Sequence, residues 1–429
     1  MAGMILVIMV SLLFLGFPML VPLLVASVAM FLVYFPSLDP AIVVQQMIGG
    51  VKPAALTAVP MFIFAADIMT QGQAANRLLN VVTTFVGHLR GGLSITAAVS
   101  CALFGSVSGS TQATVVAIGG PLRPKLLQAG YPDSFVTALI INASDIALLI
   151  PPSIGMIVYG VVSGASIGEL FIAGVGPGLL ILVFFCAYCY IAAARQNIPI
   201  LPRASWALRW EALRAALLPL GFPLIIIGGI YTGWFSPTEA AAMSVLYALL
   251  LEVFVFRQLS FTDIPAIALS TGLVTAVVFI LVGAGAAFSW IISFAQLPQA
   301  LVHDVLALDS SASSLRILLT ITVAYFIGCM FVDPIVVIMI LTPIFHPIAT
   351  AAGIDPVLVG VVVTLQVAIG SATPPFGCDI FTAIAIFRRP YLEVIRGTPP
   401  FIVILLFSSL LVICFPSIAL FLRDLAFSQ

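Results

Sequence analysis

Charge is what this chain has least of. Only 7% of its 429 residues are Asp, Glu, Lys or Arg, and the only lysines are Lys52 and Lys125. A soluble domain carries about 25% charged residues, so an ordinary globular protein is excluded. Hydrophobic residues make up 62% of the chain and the mean hydropathy is +1.27. We therefore predict an all-α polytopic membrane protein, long enough for roughly ten to twelve spans of about 20 residues.

The scarcity of charge also excludes several classes of function. A net charge of −1 leaves no basic surface for nucleic acid. Neither lysine follows a glycine-rich loop, so the phosphate-binding motif of P-loop ATPases is missing. The histidines, His88, His303 and His346, fall near the ends of apolar stretches, where none can serve as a base for a serine inside a span. We predict that the chain is not an enzyme and uses no organic cofactor.

One helix-breaking pattern is present twice, 223 residues apart. The matched positions are Gly105 and Gly328, Gly130 and Gly353, and the pairs Pro151-Pro152 and Pro374-Pro375. The Gly105–Thr111 and Gly328–Pro334 stretches each interrupt an apolar segment, which predicts two re-entrant hairpins, because glycine and proline free backbone groups that hydrocarbon cannot satisfy. Each Pro-Pro pair then predicts a broken helix. Such paired breaks are typical of transporters built from two structural repeats.

Positive charge predicts the topology. One interhelical segment is rich in arginine and is therefore assigned to the cytoplasm; it contains Arg195, Arg203, Arg209 and Arg214. Counting membrane spans backward from this segment places residues 163–169 outside. The first hairpin is then predicted to enter the membrane from the cytoplasmic side. Counting forward from the same segment places residues 295–313 outside, so the second hairpin is predicted to enter the membrane from the outer side. The two repeats are thus predicted to have inverted topology.

Three other stretches carry local predictions. The apolar stretch 4–35 is either one long tilted helix or two short helices broken near Gly16. The amphipathic segments 71–90 and 201–214 are predicted to lie along the cytoplasmic interface, with Trp206 and Trp210 at headgroup depth. The run from Ser236 to Glu239 reads as the start of a helix, because serine, proline and glutamate occupy N-terminal positions.

The interruptions collect most of the polar groups at membrane depth. Carbonyls freed by a Pro-Pro pair, together with Ser and Thr hydroxyls, are hard oxygen ligands for a small cation such as sodium. Half-helix N-termini at the same breaks favour an anion. We predict a sodium site where each hairpin tip meets a broken helix, with a carboxylate substrate between them. Any single break can equally be a kink that serves packing.

Acidic residues inside apolar stretches are candidates for function by default. Asp67, Asp145, Asp333 and Asp379 qualify, and Asp333 lies at a hairpin tip, where it can act as a ligand or in gating. We predict six contacts to the substrate: Thr111, Asn142, Asp145, Ser153, Pro375 and Asp379.

In four places the chain resembles the large membrane subunit of tripartite ATP-independent periplasmic (TRAP) transporters. The matching pieces are Ser108–Gly119, Ile150–Ile154 with Tyr159-Gly160, Ser236–Ala240 and Thr373–Gly377. The resemblance implies sodium-driven uptake of a small organic acid that a soluble periplasmic binding protein delivers. It also implies a small four-helix membrane partner, a bacterial inner-membrane location, and an elevator that moves a transport domain against a scaffold.

The resemblance further implies the ligands at two sodium sites. The first set is Ser106, Ser108, Gly109, Ser110, Ile150 and Pro151, and the second is Gly328, Phe331, Asp333, Gly370, Thr373 and Gly377. The implied domains are scaffold helices with an interfacial arm (1–90), transport-domain half 1 (91–169), scaffold with a cytoplasmic arm (170–313), transport-domain half 2 (314–397) and a C-terminal scaffold helix (398–429).

Two residues depart from the family pattern. The positions of Asp145 and Asp379 are usually uncharged, so extra carboxylates near the site suggest a substrate with a cationic group, such as a zwitterion. Two other kinds of transport remain open: a self-sufficient sodium-coupled carboxylate symporter that needs no binding protein, and a passive channel.

Overall fold

The computed structural model describes residues 1–296 and 313–427, and within this part every regular element is a helix. The helices, in chain order, are α1 Ala2–Phe14, α2 Leu20–Tyr34, α3 Ala41–Val51, α4 Ala58–Gln71, α5 Ala74–Val86, α6 Gly92–Ser108, α7 Thr111–Gln128, α8 Asp133–Ser144, α9 Ile154–Ser163, α10 Ile167–Arg195, α11 Trp206–Tyr231, α12 Pro237–Leu249, α13 Ile264–Phe294, α14 Ser314–Phe331, α15 Pro334–Ala351, α16 Pro356–Ser371, α17 Cys378–Phe387, α18 Tyr391–Ile395, α19 Pro399–Cys414 and α20 Ser417–Phe427.

The predicted all-helical membrane protein is confirmed. Among the described residues, 7 helices are long and apolar enough to cross a membrane, and the pair α19–α20, bent by 56°, makes up to 8. Short turns extend some of these helices: a 3₁₀ turn at Ala54–Thr57 precedes α4, and a π-helical turn at Leu250–Val255 follows α12. Because the surfaces of these helices are apolar, most of the chain must lie in lipid.

Helices end at the breaks that the sequence predicts. Between α6 and α7, Gly109 adopts a left-handed conformation (φ 60°), and Ser110 caps α7 by accepting a hydrogen bond from the Ala113 amide. Between α14 and α15, Asp333 caps α15 by accepting from the Ile335 amide. Pro151-Pro152 lies in the gap between α8 and α9 and Pro374-Pro375 in the gap between α16 and α17, and both of these peptide bonds are cis.

Two local predictions are settled and one is corrected. The stretch 4–35 forms two helices that part around Gly16 (φ 81°), and Ser236 with Glu239 forms the predicted capping box. The segment 201–214 is not a separate interfacial arm. From Trp206 onward it belongs to α11, because its Ala, Leu, Glu and Arg residues favour helix and nothing breaks the run into the span. Residues 297–312, with His303 and most of the predicted outer loop, lie outside the described residues.

The helices pack as two groups. In the hairpin group (α6–α10 and α14–α20), α6 contacts α7, α8 and α10, and α16 contacts α10, α14, α15 and α19. In the flanking group (α1–α4 and α11–α13), α13 contacts α2, α3 and α4, and α12 contacts α4 and α11. Helix α5 lies between the groups and packs on both α11 and α6, while α15 packs on α13. The breaks therefore lie inside the hairpin group, close to where it meets the flanking group.

Candidate functional site

The tip of the first hairpin rests on the first Pro-Pro break. The Ile154 amide donates to the Gly109 carbonyl at 3.4 Å. A Cβ atom on Gly109 would lie only 2.4 Å from the Pro152 carbonyl oxygen, so only glycine permits this approach. The structure thus brings together the tip and the break that were predicted to share a site.

The serines of this tip are bonded within the hairpin. Ser106 Oγ donates to the Leu103 carbonyl at 2.6 Å, which commits its hydrogen to its own helix. Ser108 Oγ lies 3.1 Å from Thr114 Oγ1 and 3.3 Å from the Ser110 carbonyl oxygen. Hydroxyl oxygens that donate in this way keep lone pairs that can coordinate a cation.

The tip of the second hairpin rests on the second break in the same manner. The Phe376 amide donates to the Met330 carbonyl at 3.0 Å. Gly370 lies so close to Cys329 that a Cβ atom there would be 2.4 Å from the Cys329 Cβ. Within the break, the Gly377 amide donates to the Thr373 carbonyl at 3.2 Å, and Thr373 Oγ1 donates to the Ile369 carbonyl.

A carboxylate joins the two halves of the site. Thr111, the first residue of α7, donates from Oγ1 to Asp379 Oδ1 at 2.7 Å, and Ser371, the last residue of α16, donates from Oγ to Asp379 Oδ2 at 2.7 Å. The Asp379 side chain is fully buried. Both of its oxygens have a donor, so this acidic group is held in one orientation between the first hairpin and the second break.

A second carboxylate has no partner. Asp145 is fully buried and neither of its oxygens accepts a hydrogen bond; three residues earlier, the buried Asn142 leaves its Oδ1 without a donor as well. The spacing of three puts both side chains on one face of the chain. Asp145 lies close enough to Asp379 for the two to interact electrostatically. Such a set of unpaired acceptors attracts a cation or a hydrogen-bond donor.

The remaining predicted contacts have local partners. Ser153 caps α9 by accepting from the Met156 amide, and the Pro375 carbonyl accepts from the Tyr391 hydroxyl at 2.9 Å. Asp67 lies in the flanking group, apart from both breaks, and accepts from Thr271 Oγ1 at 2.6 Å. Within the described residues no group of three or more His, Cys, Asp or Glu side chains is arranged to hold a metal ion.

Three residues at the site were missed by sequence reasoning. Ser371 bonds Asp379, the Gln112 side chain lies next to the Cys378 thiol, and Phe376 packs on Phe331 with ring centroids 5.9 Å apart. The sequence feature that could have identified them is their position, because each directly flanks a break or a tip. Position alone does not tell which flanking side chains face the site.

Four helices begin at these two breaks and tips: α7, α9, α15 and α17. Their N-terminal amides carry partial positive charge, which favours an anion, while the carboxylates of Asp145 and Asp379 favour a cation. The arrangement suits a solute that carries both charges, or an anion together with small cations.

Residues 6–418 match the family model described as the tripartite ATP-independent periplasmic transporter, DctM component. The chain belongs to this family. It is 65% identical over 430 residues, covering 100% of both chains, to the ectoine/5-hydroxyectoine TRAP transporter large permease protein UehC of Ruegeria pomeroyi. It is also 65% identical over 420 residues, 98% of each chain, to the ectoine TRAP transporter large permease protein TeaC of Halomonas elongata.

Solved structures share the fold of this TRAP large permease. The YdaH transporter of Alcanivorax borkumensis aligns over 98% of both chains with a TM-score of 0.64 and 16% sequence identity. The predicted membership in the TRAP family is thus confirmed, as is the prediction that the chain is a transport protein and not an enzyme.

Proposed function

We propose that this TRAP large permease imports an ectoine-type zwitterion across the bacterial inner membrane, driven by sodium. A periplasmic binding protein delivers the solute, and a small four-helix membrane subunit completes the permease. The two relatives at 65% identity are named for ectoine. Ectoine joins a carboxylate to a cyclic amidinium, which fits the zwitterionic substrate that Asp145 and Asp379 suggested.

Two sodium sites are proposed where the tips meet the breaks. The observation that carries this proposal is that each tip contacts its own Pro-Pro break, Gly109 against Pro152 and Met330 against Phe376. We propose the two predicted ligand sets for these ions unchanged. Because the contacts are matched in the two halves, a bound cation would hold each tip closed on its break.

Ion pairs support the inverted arrangement of the two repeats. Asp133, where the first hairpin ends, is held by Arg123 at 2.6 Å and by Arg389 at 2.8 Å. Asp355, where the second hairpin ends, pairs with Arg423 at 2.6 Å, and Arg423 also lies 3.8 Å from Glu169. The charge count assigns the first cluster to the cytoplasm and the second to the outside, so each cluster gathers residues predicted to share one face.

An elevator movement is proposed for the hairpin group. Packing supports 91–169 and 314–397 as the core of the moving domain, and the contacts of α10 and α19 with α16 favour adding these helices to it. Helices α1–α4 and α11–α13 would form the scaffold. In each hairpin one helix meets this scaffold side: α6 packs on α4 and α5, and α15 packs on α13.

The substrate would bind between the two breaks. Its carboxylate would face the N-termini of the half-helices, and its amidinium would face the carboxylates of Asp145 and Asp379. We propose Thr111, Asn142, Ser153 and Pro375 as the other contacts. Asp145 matters most here, because its oxygens are buried without any donor.

The test is uptake of labelled ectoine into proteoliposomes that contain this chain and its small partner, with and without a sodium gradient and the binding protein. We expect uptake only when sodium and binding protein are both supplied. Uptake that ignores the binding protein would favour the self-sufficient symporter, and unsaturable flux would favour a channel. For the substrate class, Asp145→Asn and Asp379→Asn should lower ectoine uptake, whereas Asp67→Asn, the matched change in the flanking group, should not.

A further inference from the structure

Two aromatic rings are exposed at the second hairpin tip. Phe331, the last residue of α14, is 50% exposed, and Phe376, which follows the second Pro-Pro pair, is 53% exposed. Their ring centroids are 5.9 Å apart and the rings are tilted by 45°. The hydrogen bond from the Phe376 amide to the Met330 carbonyl fixes this spacing. About half of each residue is therefore accessible at the tip.

The pair lies where the second tip meets the second break, next to residues proposed for the site. Val332, the next residue after Phe331, packs against a buried cluster that includes Ala284 and Phe288 of the flanking group. On its other side, Phe376 is two residues from Cys378, which lies beside Gln112 at the start of α7. Residues next to the rings in sequence thus contact the flanking group on one side and the first hairpin on the other.

The two segments that carry the rings also carry two carboxylates. Asp333 is two residues from Phe331, Asp379 is three residues from Phe376, and these two carboxylates are close enough to interact electrostatically. An aromatic face carries negative potential at its centre and attracts cations. Aromatic faces next to carboxylates select a planar, delocalised cation, because such a cation can stack by its face and donate hydrogen bonds from its edge.

We propose that Phe331 and Phe376 form the stacking surface for the delocalised cationic ring of the solute. The inference rests on the proposed function and adds two residues that determine specificity. A cyclic amidinium, which is planar and weakly hydrated, fits this surface better than a primary ammonium, which is compact and strongly hydrated. A dicarboxylate finds no favourable contact there.

The experiment measures ectoine binding to the purified permease with its small subunit, in sodium, from the shift of melting temperature with ectoine concentration. Because the binding protein is absent from this measurement, its own affinity for ectoine does not contribute to the apparent Kd. Phe331→Leu and Phe376→Leu should raise the apparent Kd by roughly 3- to 30-fold, the range of one cation–π contact. Phe376→Trp, which offers a larger aromatic face, should keep or lower the Kd.

A matched control is Phe407→Leu, because Phe407 is 51% exposed and its ring lies 5.8 Å from that of Phe184, on helices α19 and α10, which contribute no residue to the tips or breaks. Its Kd should equal that of the wild type. The proposal is overturned if both tip leucine variants bind ectoine like the wild type, or if Phe376→Trp loses as much affinity as Phe376→Leu. If the wild type itself shows no ectoine-dependent shift in sodium, then the proposed function has failed, and the assignment of the rings fails with it.

Discussion

Thr111 Oγ1 and Asp379 Oδ1 are joined by a 2.7 Å hydrogen bond across 268 residues of sequence. The bond connects the first turn of α7 with the first turn of α17, so it ties the first hairpin to the second break. Both side chains are buried, which makes the bond costly to break.

Removing this donor should destabilise the protein. Thr111→Ala leaves one oxygen of a buried carboxylate without a donor and should lower the free energy of unfolding by about 1.5–3 kcal/mol, whereas Thr111→Ser keeps the hydroxyl and should cost less. Thermal unfolding of Thr111→Ala, Asp379→Asn and the double variant would measure the coupling. Strictly additive effects would show that the two side chains do not act as a pair.

Gly109 should be irreplaceable for sodium binding. In Gly109→Ala the new Cβ would meet the Pro152 carbonyl at 2.4 Å and push the tip off the break, so the sodium concentration for half-maximal uptake should rise. Gly353→Ala is the matched control, since Gly353 also has a positive φ (73°) but has nothing within 4 Å of its Cβ position. The control should show only the backbone cost of about 1 kcal/mol. An equal sodium requirement in both variants would disprove the contact's role.

Asp145→Asn should raise stability while lowering transport. The substitution removes a buried carboxylate that has no donor, and we expect the free energy of unfolding without substrate to rise by at least about 1 kcal/mol. Melting temperatures measured with and without ectoine would separate this gain from the lost stabilisation by substrate. Asp67→Asn should change neither quantity much, because its amide oxygen can still accept from Thr271. A less stable Asp145→Asn protein would mean that the carboxylate has a partner after all.

Glu252 should anchor helix α5. This buried carboxylate accepts hydrogen bonds from the Gln73 and Ala74 amides at 2.9 Å each, and a Cβ atom on Gly72 would lie 2.0 Å from its Cδ. Glu252→Ala leaves both amides without an acceptor, so hydrogen exchange at the start of α5 should accelerate. Glu239→Ala, which breaks the capping box of α12, is the control and should leave α5 unchanged. Equal protection of α5 in both variants would contradict the anchor.

Most of the helix boundaries at the site could be predicted because their causes are local. Gly109 permits the left-handed turn that ends α6, and Ser110 supplies the cap that starts α7. Pro151-Pro152 and Pro374-Pro375 each remove two backbone donors inside an apolar stretch, which stops the helix there. The start of α11 at Trp206 was missed for a local reason as well, since an amphipathic segment and the span that follows it form one helix when no breaker separates them.

The pairing of side chains could not be predicted in the same way. Asp145 and Asp379 look alike in sequence, each an acidic residue near a Pro-Pro pair, yet Asp379 has two hydroxyl donors and Asp145 has none. The difference arises because Thr111 and Ser371 reach Asp379 from separate helices. The spacing of these residues along the chain does not predict that their side chains meet.

By itself, the sequence determined that this protein is a helical membrane protein with two matched pairs of breaks, because hydropathy, glycine and proline act through neighbouring backbone groups. Only the tertiary structure decided which tip rests on which break, which carboxylate is satisfied, and where Phe331 and Phe376 are exposed. Those outcomes depend on contacts between residues that are dozens to hundreds of positions apart, and such contacts are set by how whole helices pack.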